Sequence, residues 1–91
     1  MTSMKFNGHE KAAAKINYYN DGSFSLVSYA TTVATVDNEG WLHVRGLYSR
    51  TTIKHIGWFM HLIGSSYQTA KQLFQDRYEM NIHTGEIREW A

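Results

Sequence analysis

The chain has 91 residues, a formal net charge of +1 and no cysteine. The absence of cysteine excludes disulfide frameworks, thiolate catalysis and cysteine-based zinc sites, and it favours a reducing, cytoplasmic setting. The length fits one compact domain over residues 1–91, whose thin core depends on aromatic side chains as much as on aliphatic ones. The longest stretch without Asp, Glu, Lys or Arg, residues 55–70, is too short and too polar for a membrane span.

The first half of the chain predicts an antiparallel meander. Asn, Asp and Gly tolerate positive φ, and their clusters at residues 20–23 and 37–40 mark hairpin turns. We expect strands near residues 15–20, 24–36 and 41–47. The apolar residues of the second strand change phase along it, which predicts either a bulge or burial on both of its faces. Upstream, the composition of residues 9–15 favours a short first helix, although an isolated helix of that length is marginal.

From Ser49 onward the apolar spacing changes to three and four residues, which predicts helices. A first helix should run from about residue 50 to residue 63, capped by Ser49 and ended by Gly64. A capping box over residues 65–68, with Ser65 as the cap, should begin a second helix that runs to about Tyr78.

The tail after the second helix has the turn chemistry of a hairpin at Thr84 and Gly85, with Met80, Ile82 and Ile87 directed inward. The sequence therefore predicts an α+β fold. An antiparallel sheet of three to four strands should pack on two helices, with a C-terminal hairpin or returning strand.

No arrangement of catalytic residues stands out. Metal ligands on one helix need a spacing of three or four residues to share a face, whereas His55 and His61 are six residues apart. The chain contains neither a serine nucleophile elbow nor a glycine-rich phosphate loop. We therefore expect a protein that is not an enzyme and that needs no metal or cofactor.

Aromatic and basic residues define the most coherent candidate surface. In the third predicted strand, Trp41, His43 and Arg45 lie on the face opposite Leu42 and Val44. Residues 41–75 also contain four basic residues and no acidic one. The expected partner-binding residues are Trp41, His43, Arg45, Tyr48, Arg50, Lys54 and Trp58, with Trp90 as an alternative to Trp58.

Two kinds of partner fit these side chains. Aromatic residues and arginine anchor protein interfaces, which favours a host protein or protein complex. Basic and aromatic groups also meet phosphates and stack on bases, so a nucleic-acid-binding surface at residues 41–75 is the alternative. Self-association stays open as well, because an aromatic sheet face can be covered in a homodimer.

Three sequence strings resemble those of small proteins encoded by phages and mobile elements of Gram-positive bacteria. They are SYATTVATVD at residues 28–37, YSRTTIKHI at residues 48–56 and NIHTGE at residues 81–86. The resemblance extends over residues 24–88 and identifies no catalytic residue. It implies a cytoplasmic accessory protein in a bacterial host, similar to anti-defence inhibitors such as anti-CRISPR proteins, which occupy a surface of a host nuclease complex. Inhibitors that imitate DNA are strongly acidic, so the slight positive charge of this chain implies another mode of inhibition.

Overall fold

The computed structural model describes residues 1–90, which form a seven-stranded antiparallel sheet and two helices. The strands are β1 (Thr2–Lys5), β2 (Ala14–Tyr18), β3 (Phe24–Ser28), β4 (Thr31–Val36), β5 (Trp41–Val44), β6 (Tyr78–Asn81) and β7 (Ile87–Glu89). The helices, α1 (Arg50–Leu62) and α2 (Tyr67–Asp76), lie between β5 and β6 in the chain. The order of the strands in the sheet is their order in the chain. The α+β class is confirmed.

The predicted count of three to four strands is wrong. The expected strand over residues 24–36 is a hairpin, because the chain turns at Tyr29, whose φ of 57° lies in the left-handed region, and at Ala30. Strand β1 was not predicted, and the C-terminal hairpin adds two further strands to the same sheet. The bulge is present, since Leu26 pairs with Ala34 and Val27 with Thr32, which leaves Val33 as the extra residue.

The predicted helix at residues 9–15 is also wrong. Residues 7–13 form turns and bends, and Ala14 and Lys15 begin β2. Ala14 is 1% exposed and pairs with Ser28 of β3. Pairing with β3 therefore outweighs a helical propensity that is weak in so short a segment.

Serine side chains cap both helices at their N-terminal ends. Ser49 accepts a hydrogen bond from the backbone N–H of Thr52 at 3.2 Å, as predicted. The second cap is Ser66 and not Ser65, because Ser66 accepts from the backbone N–H of Thr69 at 3.4 Å. Helix α2 ends at Asp76, before the predicted Tyr78, since Arg77 adopts left-handed geometry with a φ of 59° and Tyr78 begins β6.

The core lies between the helices and one face of the sheet. It is formed by buried side chains from every layer, among them Leu26, Val36, Leu42 and Val44 of the sheet, Ile56, Phe59 and Met60 of α1, and Ala70 and Leu73 of α2. Of the three tail residues predicted to point inward, Met80 and Ile82 pack against this core, whereas Ile87 is 51% exposed on the outermost strand. Neither helix within residues 1–90 has the length and apolar character to cross a lipid bilayer.

Candidate binding face

Within residues 1–90, both helices pack on one face of the sheet, and we call the opposite face the open face. Side chains alternate along β5, so Leu42 and Val44 enter the core while Trp41 and His43 lie half-buried on the open face. Arg45 continues the same phase immediately after β5 and is exposed. Because both helices pack on the other side, these side chains face solvent from a rigid support.

A charged network holds the open-face residues in place. Nδ1 of His43 lies 2.8 Å from Oε2 of Glu79, and Nε of Arg88 donates to Oε1 of the same carboxylate at 2.8 Å. The guanidinium carbon of Arg88 lies 4.0 Å from the centre of the Trp41 ring, and Nη2 lies 4.0 Å from Oδ2 of Asp37. A carboxylate only accepts hydrogen bonds, so Nδ1 of His43 donates in this contact. Glu79 thus fixes the orientation of both His43 and Arg88.

Trp90 forms one wall of this face. Its indole N–H donates to the backbone carbonyl of Tyr78 at 3.0 Å, which anchors the ring. The ring centre lies 4.5 Å from that of His43 and 6.2 Å from that of Phe74. Trp90 therefore connects the open face to the margin of the core.

Two open clefts cross this face and share Thr32 and Arg45. One, of about 570 Å³, is lined by Thr31, His43, Tyr48 and Trp90 together with the two shared residues and Ala30. The other, of about 430 Å³, extends towards the turns that carry Asp21 and Asp37. Because two residues line both clefts, the clefts are adjacent, and we call them together the sheet groove.

The predicted binding residues divide into two groups. His43, Arg45 and Tyr48 line the sheet groove, and Arg50 is exposed at the first turn of α1. Trp41 lies half-buried on the same face of the sheet but lines neither cleft. The remaining two lie in the helical layer, where Nζ of Lys54 is 5.6 Å from the centre of the Trp58 ring. There His9 stacks on Trp58 with a centroid distance of 3.8 Å.

Sequence reasoning did not find the residues that support the groove. Glu79 and Arg88 were not among the predicted residues, nor were Asp21 and Asp37. Glu79 pairs with Arg88 across the C-terminal hairpin, so their contact could have been inferred from the hairpin that the sequence predicts. The contact between Glu79 and His43 depends on the pairing of β5 with β6, for which the sequence contains no local signal.

A second polar cluster is buried beneath α1. Nδ1 of His55 is hydrogen-bonded to Oγ of Ser28 at 2.8 Å, and that oxygen lies 3.1 Å from Oγ1 of Thr52. A serine beside a histidine is the arrangement of a nucleophile and its base. Here Ser28 is only 2% exposed and His55 only 1%, so the pair is enclosed in the packing of α1 against the sheet. Burial lowers the pKa of His55, and the charges of Lys54 and Lys5 lower it further. Within residues 1–90, no group of three or more His, Asp or Glu side chains is placed to hold a metal ion.

Comparison with known proteins identifies a family. No curated protein sequence and no solved structure matches the chain significantly. Residues 2–79 match the model of DUF8033, a family of unknown function, and Arg88 and Trp90 lie outside the matched segment. Because the match extends over most of the sequence, the chain belongs to the DUF8033 family.

Proposed function

We propose that the protein is a non-enzymatic binding module whose sheet groove receives a protein partner. The observation that carries this proposal is the uncovered sheet face, on which Trp41, His43 and Trp90 are half-buried and held by defined contacts. Tryptophan, tyrosine and arginine supply most of the binding energy in protein interfaces. Side chains that are already ordered also lose little entropy when a partner binds.

The distribution of charge favours a protein over a nucleic acid. The four basic residues of the 41–75 segment are spread over the end of β5, α1 and α2. Arg45 lines the groove, Arg50 is exposed at the first turn of α1, Lys54 lies beside Trp58 on α1, and Lys71 is exposed on α2. Arg88, on the open face, is already paired with acidic side chains. Nucleic-acid binding needs several cations that follow successive phosphates. Among residues 1–90, Arg45 is the one guanidinium that lines the groove and belongs to no ion pair.

Site-specific photo-crosslinking tests this proposal. Tyr48 at the groove is 66% exposed, and Leu62 at the end of α1 is 58% exposed on the helical side, so the two positions form a matched pair. With benzoylphenylalanine at position 48 in cells, we expect a discrete cross-linked protein that is lost when Arg45→Glu is added. The same probe at position 62 should not capture that protein.

Two results would contradict the proposal. One is equal capture of the same protein from positions 48 and 62. The other is binding of a single-stranded oligonucleotide with an affinity that falls steeply with salt, which would favour the nucleic-acid alternative. Capture of a second copy of the chain at position 48 would indicate that the groove is covered in a homodimer and does not bind a different protein.

The resemblance to phage and mobile-element proteins supports a finer proposal about the partner. We propose that it belongs to a defence complex of a bacterial host and that occupation of its surface inhibits the complex. The near-neutral charge of the chain favours surface blocking over imitation of DNA. Expression in a strain with an active nuclease defence should restore phage plating, and Arg45→Glu should abolish the effect while Lys71→Glu preserves it. Unchanged plating with the wild-type protein would count against inhibition of that complex.

A further inference from the structure

One end of the sheet groove, the cleft of about 570 Å³, offers hydrogen-bond donors to an anion. Arg45, which lines this cleft and the adjacent one, is exposed and takes part in none of the ion pairs found among residues 1–90. Thr31, Thr32 and Tyr48, each of which carries a hydroxyl group, line the same cleft together with Trp90. None of the described residues that line this cleft is acidic. A guanidinium with hydroxyl donors around it is suited to receive a carboxylate in a two-point contact.

The other end of the groove carries negative charge. Asp21 and Asp37 lie in the two turns that border it. The hydroxyl of Ser23 donates to Oδ1 of Asp21 at 2.6 Å and its backbone N–H donates to the same oxygen at 2.9 Å. These hydrogen bonds lower the pKa of the Asp21 carboxyl group, which stays ionised. Asp37 is partly compensated by Arg88 at 4.0 Å, whereas Asp21 belongs to none of the ion pairs found in the described chain.

Strand geometry sets the distance between the two ends. Asp37 precedes β5 and accepts a hydrogen bond from the backbone N–H of Trp41, while Arg45 follows the end of the strand. The four steps along the strand from Trp41 to Arg45 span about 13 Å at roughly 3.3 Å per residue. An extended segment lying along β5 would therefore meet both ends with side chains about three to four residues apart.

Charge complementarity selects the occupant. A nucleic-acid backbone carries a negative charge at every nucleotide, so one that contacts Arg45 along this groove would also lie beside Asp21 and Asp37. A polypeptide can carry charges of both signs at a chosen spacing. We propose that the sheet groove binds an extended protein segment with an acidic side chain at Arg45 and a basic side chain, about three to four residues away, at Asp21 and Asp37. This inference rests on the proposed function and specifies the chemistry of the partner.

Selection of peptides from a display library on the full-length protein tests the inference. We expect enriched peptides to contain an acidic and a basic residue about three to four positions apart. The Arg45→Glu variant should weaken the best peptide roughly tenfold, and a peptide with its acidic residue changed to lysine should recover affinity for that variant. Lys71→Glu makes the same change of charge on α2 and should leave the affinity unchanged.

The three tryptophan side chains show where the peptide binds. Trp41 and Trp90 belong to the open face, whereas Trp58 lies in the helical layer with His9. In NMR spectra, the indole N–H signals of Trp41 and Trp90 should shift on titration while that of Trp58 stays in place. Peptides that shift Trp41 and Trp90 but lack the acid–base pattern would overturn this inference and leave the proposed function intact. Peptides that shift only Trp58, or a selection without enrichment, would count against both.

Discussion

Acidification should destabilise the protein through His55. This side chain is 1% exposed on the buried side of α1, and its Nδ1 atom is hydrogen-bonded to Ser28. Burial first, and then the charges of Lys54 and Lys5, lower its pKa in the folded protein. In the unfolded chain the imidazole titrates near its ordinary pKa of about 6.5. The folded state therefore releases a proton that the unfolded state still holds.

The sign and size of the effect follow from this difference. Between the lowered folded pKa and about pH 6.5, the unfolded chain binds more protons, so the free energy of unfolding falls as the pH falls. The slope approaches about 1.4 kcal/mol per pH unit and ends below the folded pKa, where both states are protonated. A chain of this length has a total stability of roughly 5–14 kcal/mol. A loss of about 1.4 kcal/mol over one pH unit is therefore a measurable fraction of the free energy of unfolding.

Urea unfolding followed by tryptophan fluorescence measures the loss. We compare the wild-type protein with His55→Gln at about pH 7.5 and about pH 5.5, which bracket the ordinary histidine pKa. The wild-type protein should lose about 1 kcal/mol more than the variant between these conditions. Near-ultraviolet circular dichroism at the higher pH confirms that the variant is folded. An equal loss in the two proteins would refute the assignment of the pH dependence to His55.

Three further substitutions test the packing. Ser28→Ala removes the partner of His55 Nδ1 and should lower the free energy of unfolding by about 1–3 kcal/mol, measured by urea denaturation; an unchanged midpoint would contradict the buried hydrogen bond. Gly40 has a φ of 95°, and in Gly40→Ala the added methyl group would lie 2.5 Å from Cδ2 of His83. This variant should lower Tm by several degrees in calorimetry. An unchanged Tm would contradict the turn geometry. Phe59→Ala empties a fully buried site and should cost about 3–5 kcal/mol in the same urea assay, whereas a loss below about 1 kcal/mol would argue against the described core.

Local patterns in the sequence predicted local structure. The alternation in β5 correctly placed Leu42 and Val44 in the core, because each side chain of a strand lies on the face opposite its neighbours. The serine cap at Ser49 and the apolar spacing behind it correctly located α1, since both are properties of one short segment. The hairpin over Tyr29 and Ala30 was missed because Tyr rarely adopts positive φ, and nothing in the composition marks the turn.

These local patterns could not predict contacts between distant segments of the chain. His43 and Glu79 are 36 residues apart, and their hydrogen bond exists because β6 returns to β5 after the two helices. The sequence also grouped Trp58 with Trp41, although Trp58 lies in the helical layer and Trp41 on the opposite face of the sheet. Residues that are close in the chain were expected to share a surface, and the packing of α1 on one side of the sheet separates them.

The agreement between strand order in the sheet and strand order in the chain has a consequence for folding. Within residues 1–90, β5 and β6 are the paired strands whose connection contains both helices. The other paired strands are linked by shorter connections. Pairings that close short loops are entropically cheaper, so we expect β1 to β5 to assemble early and the C-terminal hairpin to dock last. Glu79 and Trp90 would then reach His43, and Arg88 would reach Trp41, only in that final step. If the groove binds a partner as proposed, recognition would then be confined to chains that have completed folding.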